Sequence, residues 1–195
     1  MRAFPATGTV KTRSGAPCPA RREAGLHLIE VTVASGILLI AIVGALGTLF
    51  HARRVKAAVR EKLLAQDAAR AVLEKLRGER LEDVYALYNE DPVDDPTGAG
   101  KAPGPWFDVE GLTAPPGRRV GRVLFPENGS PKSLREDVRN PAFGMPAGMD
   151  LNRDGRIDSA PHASDYKILP VRIVLEWKGL GGEGRLERSA FLTRK

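Results

Sequence analysis

The sequence is short of the residues on which most enzymes and disulfide scaffolds are built. One cysteine, Cys18, stands among 195 residues, so no intrachain disulfide can form. A disulfide framework, a CxxC redox site and a cysteine-rich zinc site are excluded with it. The three histidines, His27, His51 and His162, are scattered, and no HExxH pair is present to ligate zinc. A GxSxG elbow and a GxxxxGKS/T phosphate loop are missing too. No catalytic role is expected, and an anchored hydrolase has no constellation to rest on. The formal charge of +6 is the usual mark of a partner rich in phosphate, but the excess is local. Arg2, Lys11, Arg13, Arg21 and Arg22 against Glu23 put +4 in residues 1–25, leaving 25 basic and 23 acidic side chains, or +2, for the rest. That balance does not suit a nucleic-acid-binding protein, and no nucleic-acid partner is expected.

Charge is absent altogether from Val31 to Phe50, VTVASGILLIAIVGALGTLF, where Thr32, Ser35 and Thr48 are the only polar side chains. Twenty helical residues make about 30 Å, the thickness of a bilayer's hydrocarbon core. The run is longer than the apolar region of a cleaved secretory signal, and His51, Arg53 and Arg54 follow it instead of a small-residue cleavage site. Basic residues on both flanks leave the positive-inside rule indecisive. Beyond the run, Val55, Ala58, Val59, Leu63, Ala65, Ala69, Val72, Leu73 and Leu76 recur at the three-and-four spacing of a helix face. Lys56, Arg60, Glu61, Lys62, Asp67, Arg70, Glu74 and Lys75 take the other face, and Gly78 is a stop signal. The spacing predicts one helix from Leu26 to Arg77, roughly 78 Å long, of which half must protrude into water and pack on something.

The Pro-, Gly- and Asp-rich stretch from Asn89 to Pro116 reads as loop. A strand is predicted over Val120–Phe125. A clearer one covers Pro170–Lys178, with Val171, Ile173, Leu175 and Trp177 on one face and Arg172, Glu176 and Lys178 on the other. After the turn GLGGEG, a second strand over Arg185–Thr193 completes a hairpin. An antiparallel sheet packed on the amphipathic half of the helix buries both apolar faces, with Trp177 in the core. Trp106 falls in a loop, and His162 reads as a solvated loop residue.

The stretch Gly25-Leu-His-Leu-Ile-Glu-Val-Thr-Val-Ala, at the edge of the apolar run, resembles the type IV prepilin processing motif. Together with the basic leader ending Arg21-Arg22-Glu23-Ala24-Gly25 and the amphipathic continuation to Leu76, the resemblance covers about 50 residues. It implies that a prepilin peptidase cuts after Gly25, that Leu26 becomes the N-methylated first residue, and that Glu30 is the fifth-position carboxylate pairing with a neighbour's terminal amine. Independently, a carboxylate one turn inside a membrane helix is costly and calls for a partner. Leu26 stands where the family more often has Phe, and His27 where it has Thr. The C-terminal hairpin and the lack of a cysteine after Cys18 are similar to minor pilins and the smaller type II secretion pseudopilins.

One further motif belongs to the head. Asp150-Leu-Asn-Arg-Asp-Gly-Arg-Ile-Asp158 is DxNxDGxID, nine positions of an EF-hand or dockerin-type calcium loop. Such spacing assigns Asp150, Asn152, Asp154 and Asp158 as side-chain ligands, Arg156 as a carbonyl ligand and Gly155 as the sharp turn. Position 12 is Pro161, which cannot ligate, so Asp165 or water is expected to replace it.

These readings define an α+β protein with a pilin-like layout: a leader over 1–25, a transmembrane and amphipathic helix over 26–77, and a head over 78–195. The expected function is a filament subunit, a minor pilin or pseudopilin, with other subunits, prepilin peptidase and inner-membrane lipid as partners, its head in the periplasm and Ca2+ as a cofactor. The alternative is a membrane-tethered calcium-binding or adhesive module that never polymerises.

Overall fold

The computed structural model describes residues 23–194, with side chains from residue 27 onward. The leader expected over 1–25 therefore lies outside the described residues, except for the backbone of the three that open the first helix. Helix α1 runs from Glu23 to Gly78, three residues earlier and one later than the spacing predicts. The chain divides into two compact units, Met1–Phe50 and His51–Lys195.

In the first unit every described side chain is solvent-exposed. From Val31 to Phe50 the large apolar side chains are between 48% (Leu46) and 73% (Ile40) exposed. The helix is long and apolar enough to cross a membrane, its best window having a mean hydropathy of 2.4 and no buried residues. Its two threonine hydroxyls are satisfied internally: Thr32 Oγ1 donates to the Ile29 carbonyl and Thr48 Oγ1 to that of Ala45, each at 2.8 Å. Such back-bonding is what a helix in hydrocarbon requires.

The second unit is an α+β head, a four-stranded antiparallel sheet with the remainder of α1 packed on one face. The strands are β1 (Trp106–Phe107), β2 (Gly121–Leu124), β5 (Ile168–Gly179) and β6 (Gly182–Thr193), in the order β1-β2-β5-β6. The β5–β6 hairpin pairs Val171 with Ala190 and Leu175 with Leu186. Val171, Ile173, Leu175 and Trp177 are all buried, as period-2 alternation requires. Gly184 lies opposite Trp177, and a Cβ there would stand 2.2 Å from the indole ring, so only glycine lets the ring lie flat on the strand.

On α1 the buried line is Ala65, Ala69 and Leu76, flanked by Ala68, Val72 and Leu73. Val55, Val59 and Leu63, which the spacing places on the same face, are instead about half exposed. A helix buries one arc, and the sheet takes the alanine-rich arc because small side chains let backbone approach backbone: Gly181 reaches to 3.1 Å of Ala58 when given a Cβ. The three larger residues lie about 60° or more round the cylinder from that arc.

A second helix, α2 (Leu81–Tyr88), was not foreseen. Leu81, Val84, Tyr85 and Tyr88 form its inward face, and Tyr166 Oη donates to the Leu81 carbonyl. Between β2 and β5 lie a two-stranded ribbon, β3 (Glu127–Asn128) with β4 (Ser133–Leu134), and a 3-10 turn at Pro141–Phe143. The ribbon matters because β4 leads directly into Glu136.

Candidate functional site

Of the expected processing and assembly residues, Gly25 and Leu26 are in helical backbone and their side chains lie outside the described residues. Glu30 is well exposed, with His27 Nδ1 3.9 Å from its Oε2. It is the sole carboxylate between His27 and Arg60. In hydrocarbon a lone carboxylate must find a cation or a proton.

The acidic motif folds as a tight run of side-chain to backbone turns. Asp150 accepts from the Asp154 N–H at 3.2 Å and the Gly155 N–H at 2.8 Å. Asn152 Oδ1 also accepts from Asp154, and Asp154 Oδ1 accepts from the Arg156 N–H at 2.8 Å. Gly155 has φ +87° and Arg153 φ +59°, so the chain reverses within three residues, a conformation that glycine adopts without strain. Asp165, from outside the nine-residue motif, comes to position 3: its Oδ2 accepts from Asn152 Nδ2 at 3.1 Å. Arg156 takes part through its backbone.

Asp158 turns away from these groups and toward His162. Its Oδ1 accepts from the Ala160 N–H at 2.7 Å and lies 3.1 Å from His162 Nε2. His162 is buried, 4% exposed, which corrects the expectation of a solvated loop residue. Polar neighbours in sequence suggested solvent, but tertiary bonds withdraw the residue: its backbone N–H donates to the Leu134 carbonyl of β4 at 2.9 Å, and ring Nδ1 lies 3.0 Å from Asp165 Oδ1.

Glu136, two residues past β4, is the pivot of this cluster and has no signal in the local sequence. It is 1% exposed. Its Oε1 accepts from the N–H groups of Leu151 (2.6 Å) and Asn152 (3.2 Å), and its Oε2 from that of Asp158 (3.3 Å). His162 Nε2 lies 3.6 Å from Oε2. A buried carboxylate is tolerated only with such donors and a countercharge. Burial opposes protonation of His162, but the hydrogen bonds to Asp158 and Asp165 and the nearby Glu136 outweigh it and raise its pKa above the ordinary 6.5. The Ala160 N–H and then His162 hold Asp158 below its usual value.

Glu136, Asp158 and His162 each offer a donor atom within 4.8 Å of the others, so this group can hold a metal ion. Among the described residues, the carboxylates of Asp150, Asp154 and Asp158 are not gathered into such a group. The local signals were the spacing of Asp158, His162 and Asp165, at i, i+4 and i+7; Glu136 comes from 22 residues upstream of Asp158.

No protein-family model, curated protein or solved structure matches this chain.

Proposed function

We propose that the chain is a structural subunit of a membrane-assembled filament, a minor pilin or pseudopilin of a type IV pilus or a type II secretion machine. A prepilin peptidase cuts after Gly25 and methylates Leu26, the head lies in the periplasm, and the subunit does no chemistry itself. The observation that carries this reading is an unpartnered surface. From Val31 to Phe50 no residue is buried, while the head closes a core of its own. A contiguous apolar surface of that size is covered by lipid or by neighbouring chains. Glu30 at its edge supplies an acid that pairs, in a filament, with the amine of an adjacent subunit, matching axial register to charge neutralisation.

The DxNxDGxID loop then takes calcium through Asp150, Asn152, Asp154, the Arg156 carbonyl and Asp158, ordering the segment before the C-terminal hairpin. Asp158 must turn from His162 toward Asp150 for this. Chelation is expected to lower the unfolding temperature, and a melting curve unchanged by EDTA would remove calcium from the proposal.

The decisive experiment is N-terminal mass analysis of the full chain from membranes, with and without a co-expressed prepilin peptidase. The expected product begins at N-methylated Leu26. A chain still beginning at Met1 beside an active peptidase would reduce Glu30 to a coincidence and favour the tethered, non-polymerising module.

A further inference from the structure

The stretch of α1 that follows the apolar run carries five cations, Arg53, Arg54, Lys56, Arg60 and Lys62, all solvent-exposed. At about 100° per residue, Arg54 and Lys62 fall on one side of the helix and Arg53, Lys56 and Arg60 on the other, so the charge encircles it. Val55, Val59 and Leu63 fill the gap between Lys62 and Lys56. Glu61 is the sole acid from His51 to Gln66, and it is already engaged, accepting from Trp177 Nε1 and the Leu180 N–H at 3.3 Å each.

Elsewhere in the head the cations are spread out and divided between paired and unpaired, Arg135, Arg139, Arg153, Arg156 and Arg188 making no ion pair among the described residues. Arg118, Arg119, Arg122, Arg172 and Arg185 each pair with a carboxylate. Among the described residues, none of the five cations after the run makes an ion pair. Five unneutralised charges on just under three helical turns repel one another, and an external polyanion relieves that repulsion.

We propose that Arg53, Arg54, Lys56, Arg60 and Lys62 form a collar that binds the anionic phospholipid headgroups of the leaflet on the head's side. This rests on the reading of Val31–Phe50 as a bilayer span. Arg53 and Arg54 lie about 5–6 Å past Phe50 along one helix, within the headgroup layer of about 5–8 Å, and Lys56, about 9 Å past it, reaches back to that layer by its long side chain. Arg60 and Lys62 remain within roughly two Debye lengths. A ring of charge around a helix leaving an apolar run suits a surrounding lipid plane, whereas a nucleic-acid duplex is met by one basic face. The collar favours the membrane-resident subunit over the one drawn out of it.

The test uses the full chain in vesicles of phosphatidylcholine mixed about 3:1 with phosphatidylglycerol, carrying a trace of either lipid in spin-labelled form. Labelled phosphatidylglycerol is expected to be held at the protein surface about threefold or more over labelled phosphatidylcholine at low salt. That preference should fall toward parity in high salt. It should also fall in the chain carrying Arg53→Gln, Arg54→Gln, Lys56→Gln, Arg60→Gln and Lys62→Gln, which retains the basic residues of 1–25. Glutamine keeps helix propensity at exposed sites; should that chain misfold by circular dichroism, the chain carrying Arg53→Gln and Arg54→Gln alone takes its place. Equal holding of the two lipids, or a preference that the substitutions leave untouched whatever its response to salt, overturns the collar and leaves the span standing if the chain still floats with the vesicles. A chain that floats with neither lipid mixture overturns both.

Discussion

Helix α1 contains two solutions to one problem, set side by side in a single element. From Val31 to Phe50 it is apolar on every side and buries nothing, whereas from Ala65 to Leu76 it is polar on one side and buries the other against the chain's own sheet. The second stretch is complete; the first awaits a solvent other than water. Helical geometry is common to both, so the difference lies in the width of the apolar arc. A narrow arc is satisfied by one sheet face, while a full circumference cannot be covered by an intrachain partner of this size.

The comparison is broken most forcefully by equal truncations in the two stretches. Leu76→Ala empties a fully buried position and is expected to cost the head about 2–5 kcal/mol, read as an earlier loss of near-ultraviolet circular dichroism in denaturant. Leu39→Ala, at 64% exposure, should leave that transition within about 0.5 kcal/mol of the parent. Equal losses at the two sites would mean that the apolar stretch belongs to the head's core.

A second test sharpens the claim that the head completes itself. Glu136→Gln keeps the shape but removes the charge that gathers the Leu151, Asn152 and Asp158 amides. A loss of about 1–3 kcal/mol is expected. Hydrogen exchange at those three amides should quicken ahead of exchange in β5, whose unfolding is global. Unchanged exchange there would show that the loop is closed by other groups.

The sequence was most legible where a long pattern met a single environment. Val171 to Trp177 alternate over enough residues to fix both strand and face, and the uncharged run marks its helix without ambiguity. The span of α2 went unread because eight residues hold only two turns. The strands β1, β3 and β4 have two residues each, too few for any period. Glu136 sits among SLREDVRN, which reads as a charged surface; its burial comes from donors 15 and more residues downstream. The half-exposed Val55, Val59 and Leu63 show the complementary failure, since period alone does not say where the partner sheet ends.

The hairpin tip marks that end. Glu61 grips it through Trp177 Nε1 and the Leu180 N–H, and a Cβ at Gly179 would fall 1.8 Å from the Glu61 carboxylate. Glu61→Ala is expected to cost about 1–2 kcal/mol. Gly179→Ala should cost a similar amount by pushing the carboxylate off its donors. Because both act on one interaction, the double variant should lose less than the two singles together, measured by urea unfolding. Full additivity would place the stabilisation elsewhere in the turn.

The smallest expected effect lies on the sheet face opposite α1, where the head meets water and charge is paired across strands. Glu187 is held below its ordinary carboxylate value of 4.5 chiefly by the Arg172 guanidinium; burial opposes the shift, and Arg185 adds to it. A lowered folded-state pKa means the unfolded chain binds more protons once pH drops below 4.5. The pair's contribution is therefore intact above that pH and is lost as pH falls through the lowered value. Glu187→Gln should flatten this part of the acid limb of stability, by no more than ~0.5 kcal/mol for a solvent-screened pair, and added salt should shrink the difference further. The same titration on Leu39→Ala should retain the parent's slope, since the uncharged stretch of α1 holds no group that titrates. A slope altered there would tie the apolar stretch electrostatically to the head and dissolve the contrast between its two halves.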